Sequence, residues 1–175
     1  MEKVELSKYI GETEKLLRDG GLLLVAEGKT GVPNAMTIGW GLMGVMWSQP
    51  FFVVAVRKSR YTYKLIEESN KFTVCVPGKG MKEILQVCGT KSGRDMDKFK
   101  ELGLKASRGK SVDAPYIEGC PIIYECDVAY KTQVEKGDVA LKIEEAVYRS
   151  GDYHALYYGW VKAVYAEPDA ASKIP

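Results

Sequence analysis

The 175 residues contain a single histidine, His154, and four cysteines, Cys75, Cys88, Cys120 and Cys126, none of them in a C-x-x-C pair. Structural zinc and iron–sulfur sites draw on tight clusters of these residue types, so no metal centre is expected. Unclustered cysteines read instead as free thiols of a reducing compartment. Long apolar runs are also missing. No stretch approaches the roughly 20 residues of a membrane span, and the start, MEKVELSKYIGETEKLL, lacks the apolar core of a secretion signal. A cytoplasmic protein without membrane association is the expectation. Charge excess is absent as well: 25 basic and 23 acidic residues leave a net +2. That excludes a nucleic-acid binder driven by bulk charge and leaves room for a local basic site. With no repeats and no low-complexity linker, one domain over residues 1–166 is expected, followed by a polar, loosely held tail at 167–175.

What is present is ordinary globular material, 46% hydrophobic and 27% charged, enough for a substantial core. Leu6, Ile10, Thr13 and Leu17 keep helical spacing until Gly20-Gly21 stops it, which predicts a helix over about 7–18. Strands are predicted at 21–27, 35–40, 51–57 and 71–76. Helices are predicted at 61–69, with Ser59 and Thr62 as caps, and over 81–87 and 95–102. From Cys120 the chain reads as three long strands, 120–134, 137–149 and 153–165, with hairpin-type turns at Gly137-Asp138 and Ser150-Gly151-Asp152. Strands outnumber helices and no regular βαβ alternation occurs, so the fold class is mainly β: an antiparallel barrel with helices inserted in its connections.

Gly39, Gly41 and Gly44 match the G-x-G-x-x-G dinucleotide fingerprint, which has meaning only where a helix opens within it. Here Pro50 follows six residues after Gly44 and leads into the β-branched and aromatic run Phe51–Val56. Proline pushes the residue before it out of the helical region. Glu67 and Glu68, the nearest acids, fall inside an amphipathic helix rather than at the end of a second parallel strand. The glycines therefore read as a tight irregular turn between two barrel strands.

Three constellations could carry chemistry. Arg57-Lys58-Ser59-Arg60-Tyr61-Thr62 gathers three cations and hydroxyls where helix amides are unpaired, which suits a phosphate monoester; a solvated, capped loop is the other reading. Asn34-Ala35-Met36-Thr37-Ile38-Gly39-Trp40 offers polar groups and a close backbone approach to a planar ligand, or else a bulged strand. Cys88-Gly89-Thr90-Lys91-Ser92-Gly93, running on to Lys98 and Phe99, is a loop that could wall a pocket or lie on the surface.

Taken in order, these segments resemble the flavin reductase-like family of FMN-binding split barrels, and within it the flavoredoxin-type members. The resemblance rests on N-x-M-T-x-x-W at Asn34–Trp40, S-Q-P at Ser48–Pro50 and R-K-S-R-Y-T at Arg57–Thr62. It continues through K-F-T-V-C-V-P at Lys71–Pro77, C-G-x-x-S-G-R-D-x-D-K-F at Cys88–Phe99 and G-D-Y-H at Gly151–His154. It implies a six-stranded, Greek-key split barrel that forms a homodimer and holds FMN non-covalently. Asn34, Met36, Thr37, Ile38, Gly39 and Trp40 would meet the ring and ribityl chain, and Arg57, Lys58, Ser59, Arg60 and Thr62 the phosphate. Cys88 and Gly89 would lie against the flavin, with Ser92, Gly93 and Lys98 beside them.

The implied activity is an NAD(P)H-dependent flavin or ferric reductase. The alternatives are an electron relay between protein partners and a non-redox phosphate-binding barrel. His154 would meet the nicotinamide or the flavin, or else pack as an ordinary strand residue, and its natural pKa makes it the expected near-neutral titrating group. One departure stands out. Many members carry G-E-V in the last strand, whereas this chain has Gly159-Trp160-Val161.

Overall fold

The computed structural model describes all residues, 1–175. In chain order the elements are β1 (Glu2–Val4), α1 (Ile10–Asp19), β2 (Leu22–Glu27), β3 (Pro33–Ile38), β4 (Gly41–Met46) and β5 (Gln49–Arg57), then α2 (Tyr61–Ser69), β6 (Lys71–Val76), α3 (Lys82–Thr90) and α4 (Lys98–Glu101). The second half adds β7 (Ala106–Arg108), β8 (Pro115–Ile117), β9 (Ile122–Gln133), α5 (Leu141–Val147), β10 (His154–Ala166) and α6 (Ala170–Lys173).

One antiparallel sheet runs β3-β2-β6-β9-β10-β5-β4, with β1 added on β10, and β7 and β8 form a separate ribbon. The mainly β class and antiparallel pairing are as expected, but the main sheet has eight strands where six were predicted. The two ends of its order, β3 and β4, are consecutive in the chain. Only two residues, Gly39 and Trp40, join them, so the sheet must curl until its two end strands come near one another without pairing. That closure is what brings the ends of β3 and β5 together, and the Trp40 carbonyl accepts from the Ala55 amide.

The strands are pinned by burial. β2, LLLVAE, is buried at every position but its last and lies between β3 and β6, as expected for an apolar run without alternation. The main core joins Leu22, Leu24, Phe52, Val54, Phe72, Tyr124 and Tyr157. A second cluster around Leu23, Val25, Cys75, Cys88 and Ile117 lies under α3. α1 seats Thr13, Leu16 and Leu17 on the main core, and the Thr13 hydroxyl meets the Tyr124 hydroxyl at 2.7 Å.

Several predicted elements differ. The segment read as a tight turn after Trp40 is the strand β4, paired with β5 from Gly41↔Val54 to Met46↔Gln49. Its glycine has a local purpose: a Cβ at Gly41 would lie 2.7 Å from the Val53 carbonyl oxygen, so only glycine lets β4 approach β5 there. The actual turn is Trp47-Ser48, with φ of 49° and 57°, the left-handed pair of a two-residue hairpin. The strand predicted at 137–149 does not exist; its second half is α5, whose apolar residues Leu141 and Ile143 are exposed. The helix predicted at 95–102 shrinks to α4, capped by the Asp97 carboxylate accepting from the Lys100 amide. α3 extends past its predicted end to include Cys88 and Gly89. The tail is not loose either: Ala170 and Ile174 are buried in the main core, and the Lys79 amide donates to the Lys173 carbonyl at 2.8 Å. No helix is long and apolar enough to cross a membrane.

Candidate functional site

A cavity of about 370 Å3 opens where β3, the start of α2, the end of α3 and the first residue of β10 converge. Its size falls within the range of small-molecule sites. Sixteen of the seventeen residues predicted for a site line it. The exception is Lys58, which lies on the loop outside. The lining also includes Ala55, Tyr61, Lys91 and Arg94, to which sequence reasoning gave no contact with a ligand.

Asn34 joins the first two constellations directly. It is 4% exposed, and its Nδ2 donates to the Thr62 hydroxyl at 2.8 Å, tying β3 to the first turn of α2. The Thr37 hydroxyl donates to the Leu85 carbonyl at 2.6 Å, tying the same strand to α3. The third constellation closes over this frame through Gly93, where a Cβ would sit 2.3 Å from Asn34 Oδ1 and 2.6 Å from the Tyr61 ring. Any side chain at that position would push the wall off the floor.

One end of the cavity is basic. Arg57, Arg60, Lys91 and Arg94 line it, Lys98 sits in the wall between the two ends, bonded to the Ala35 and Cys88 carbonyls, and no Asp or Glu lines the cavity. These cations divide by their partners. Arg94 reaches the Ser59 carbonyl at 2.9 Å and lies over the Tyr61 ring. Arg57 donates to the carbonyls of Asp152 and Val147 and lies over the Tyr148 ring, clamping the excursion between β9 and β10 against the site. The side chains of Arg60 and Lys91 have no hydrogen-bond or ion-pair partner in the chain, so they are free to meet an anion beside the first turn of α2. Neither predicted cap is one: Arg60 is the N-cap residue, with no side-chain bond, and the Ser59 hydroxyl donates to the Asp152 carboxylate at 2.6 Å. Its only proton is therefore committed within the chain.

The other end is flatter and more apolar, with Met36, Ile38, Gly39, Trp40, Ala55 and Gly89. Trp40 is half exposed and tilts against His154 with ring centroids 4.8 Å apart. His154 is buried, and Tyr148 Oη lies 2.9 Å from its Nδ1. Burial, reinforced by Arg57, lowers its pKa to about 4, so the expectation of near-neutral titration fails and the ring is uncharged at neutral pH. Burial also pushes the Cys88 thiol up, against the pull of Lys98. Trp160, the departure in the last strand, does not line the cavity; Lys162 sits over its ring. The arrangement suits one ligand with an anionic end at α2 and a flat, largely apolar end at β3.

Comparison with known proteins places the chain in a family. A model of the flavin reductase like domain matches residues 19–174. An uncharacterised protein of Archaeoglobus fulgidus is 34% identical over 116 residues, covering 66% of this chain and 64% of that relative, so the match spans less than two thirds of the relative. Among solved structures, flavoredoxin of Desulfovibrio vulgaris superposes with a TM-score of 0.67 at 25% identity, over 89% of this chain and 74% of that one. Flavoredoxin from Methanosarcina acetivorans gives 0.66 at 27% identity, over 95% and 75%.

Proposed function

Because the chain belongs to the flavin reductase-like domain family, we propose that its cavity holds FMN non-covalently and that the protein is an NAD(P)H-dependent flavin or ferric reductase. The observation that carries this reading is the polarity of the cavity: four cations without a carboxylate at one end, and glycines with apolar side chains at the other. A phosphate monoester brings about two negative charges and three acceptor oxygens. Arg60, Lys91 and the first amides of α2 would hold it, with Arg94 and Thr62 beside them. Gly39 and Gly89 would admit the ring, and Met36, Ile38 and Trp40 would pack on it.

When bound, FMN would supply the redox chemistry, taking up hydride from a reduced nicotinamide. The chain's part is to orient the two rings and exclude water, which needs no acid–base dyad. His154 would contribute there as a neutral, shape-filling group at the open edge beside Trp40.

The phosphate assignment has a direct test. Each charge-assisted hydrogen bond contributes roughly 1.5–3 kcal/mol, so Arg60→Ala should weaken FMN binding about ten-fold or more while leaving riboflavin binding nearly unchanged. Equal wild-type affinity for FMN and riboflavin would overturn the assignment, and failure to bind either would overturn the flavin reading.

A second reading, an electron relay between protein partners, has the likeness to two flavoredoxins in its favour. Anaerobic titration of the FMN-loaded protein separates the two. Stoichiometric bleaching of the flavin by NADH or NADPH supports the reductase. No bleaching by either, together with reduction by a low-potential protein donor, supports the relay. A homodimer accompanies both readings, formed through the exposed apolar hairpin of β4 and β5.

A further inference from the structure

Lys98 is the one fully buried cation in the cavity wall. It sits at the first residue of α4, 3% exposed, where Asp97 caps the helix and leaves the lysine pointing inward. Its ammonium donates to the Ala35 carbonyl of β3 at 2.7 Å and to the Cys88 carbonyl of α3 at 3.3 Å. An ammonium has three protons, and no third acceptor in the chain lies within hydrogen-bond distance. No carboxylate lies within ion-pair distance of it either. The nearest titratable neighbours do not help: Cys88 is kept protonated by burial, and Arg60 adds a like charge. Burial accordingly pulls the lysine's pKa down.

A buried charge without a counter-charge is costly. Tethering two carbonyls would need only a neutral donor. The missing negative charge must then come from what enters the cavity. A phosphate could supply it, but the phosphate end already has Arg60, Lys91 and Arg94. Lys98 instead bridges Ala35 and Cys88, the two segments adjoining the ring-end residues Met36, Thr37 and Gly89.

Resting on the FMN reading above, we propose that Lys98 is a positioning residue that sets the reduction potential of the bound flavin, by holding a positive charge where the reduced ring gains a negative one. The electron count supports a large effect. Hydride from a reduced nicotinamide adds two electrons and one proton to an uncharged ring, so the ring ends with one negative charge and the nicotinamide leaves oxidised. In a cavity with no carboxylate, a buried ammonium favours that state selectively.

The test is a two-electron potential measured by dye equilibration on FMN-loaded wild type and Lys98→Gln, with the dissociation constant of oxidised FMN measured alongside. The expected result is a potential lower by about 30 mV or more in the variant, equal to a ten-fold loss of preference for reduced over oxidised flavin. Oxidised FMN should bind the variant within a few-fold of wild type. An unchanged potential in a variant that still binds FMN overturns the proposal. So does equal weakening of both oxidation states, which would assign Lys98 to the phosphate. The wild type alone gives a second measurement, independent of whether the variant folds. Its potential should fall by about 30 mV per pH unit, the one-proton slope of a two-electron couple, down to a lower pH than that of free FMN. A slope that doubles at the same pH as for free FMN overturns the proposal. A wild type that binds no FMN at all would fault the flavin reading itself.

Discussion

His154 is packed between Trp40 and Tyr148, whose ring the Arg57 guanidinium covers, and burial with that nearby charge favours its neutral form. Its folded pKa of about 4 lies below the ordinary value of 6.5. Above pH 6.5 both folded and unfolded rings are neutral and the group adds no pH dependence. As pH falls from 6.5 toward 4, the unfolded ring gains a proton that the folded one refuses, so stability is lost across that window and levels off below it. The gap amounts to about 3–4 kcal/mol at roughly 1.4 kcal/mol per pH unit. Urea unfolding of the ligand-free protein at pH 7 and pH 4.5 should show a larger acid loss for wild type than for His154→Gln. Equal losses would mean that the ring is not held neutral.

The same residue marks the limit of reading from sequence. The lining of the cavity was legible because backbone-adjacent motifs carry it, Asn34–Trp40 above all. The state of each side chain was not, because it depends on partners far along the chain. Ser59 looked like a cap or a phosphate donor, yet its proton goes to Asp152, 93 residues away. Arg94 and Lys91 sat inside a quoted motif, and only the closure at Gly93 shows that they face the same space as Arg60.

At the scale of elements, periodicity found the helices and strands whose one face meets the core and failed where burial is not decided locally. α5 buries none of its residues, so no apolar face marked it, and the alternation of Val139, Leu141 and Ile143 mimicked a strand. β4 was hidden by Gly41 and Gly44, which are unfavourable in strands, and by a turn, Trp47-Ser48, without the glycine or asparagine that usually announces one. The C-terminal segment misled through its polar composition, although Ala170 and Ile174 anchor it. Ile174 is 6% exposed in the main core, and removing a buried Ile side chain costs about 2–5 kcal/mol. Ile174→Ala should therefore lower the Tm by several degrees, whereas exposed Ser172→Ala should leave it within about a degree, since surface changes are usually below 0.5 kcal/mol. Matching melting temperatures for Ile174→Ala and wild type would show that the segment does not belong to the folded unit.

For the whole molecule, the unresolved balance is at the β4 edge. Leu42, Val45, Met46 and Trp47 are 67%, 77%, 41% and 61% exposed along one hairpin, and Tyr130 extends the patch, its ring 6.0 Å from that of Trp47. Apolar side chains exposed together along one hairpin mark an interaction site, and β4 is also an edge strand whose outer hydrogen-bonding groups are unpaired, a further invitation to association. Trp47 and Ser48 hold left-handed backbone conformations at the tip, a cost that glycine would avoid and that a tryptophan anchor in an interface could offset. If this hairpin is the dimer contact, sedimentation equilibrium should give the mass of two chains for wild type and of one for Val45→Glu combined with Trp47→Glu. Both changes lie on exposed positions outside the cavity, so the variant should keep its fold and its Tm should fall only by what the lost association contributed. A wild type that sediments as one chain, or a double variant that still sediments as two, would place the contact elsewhere.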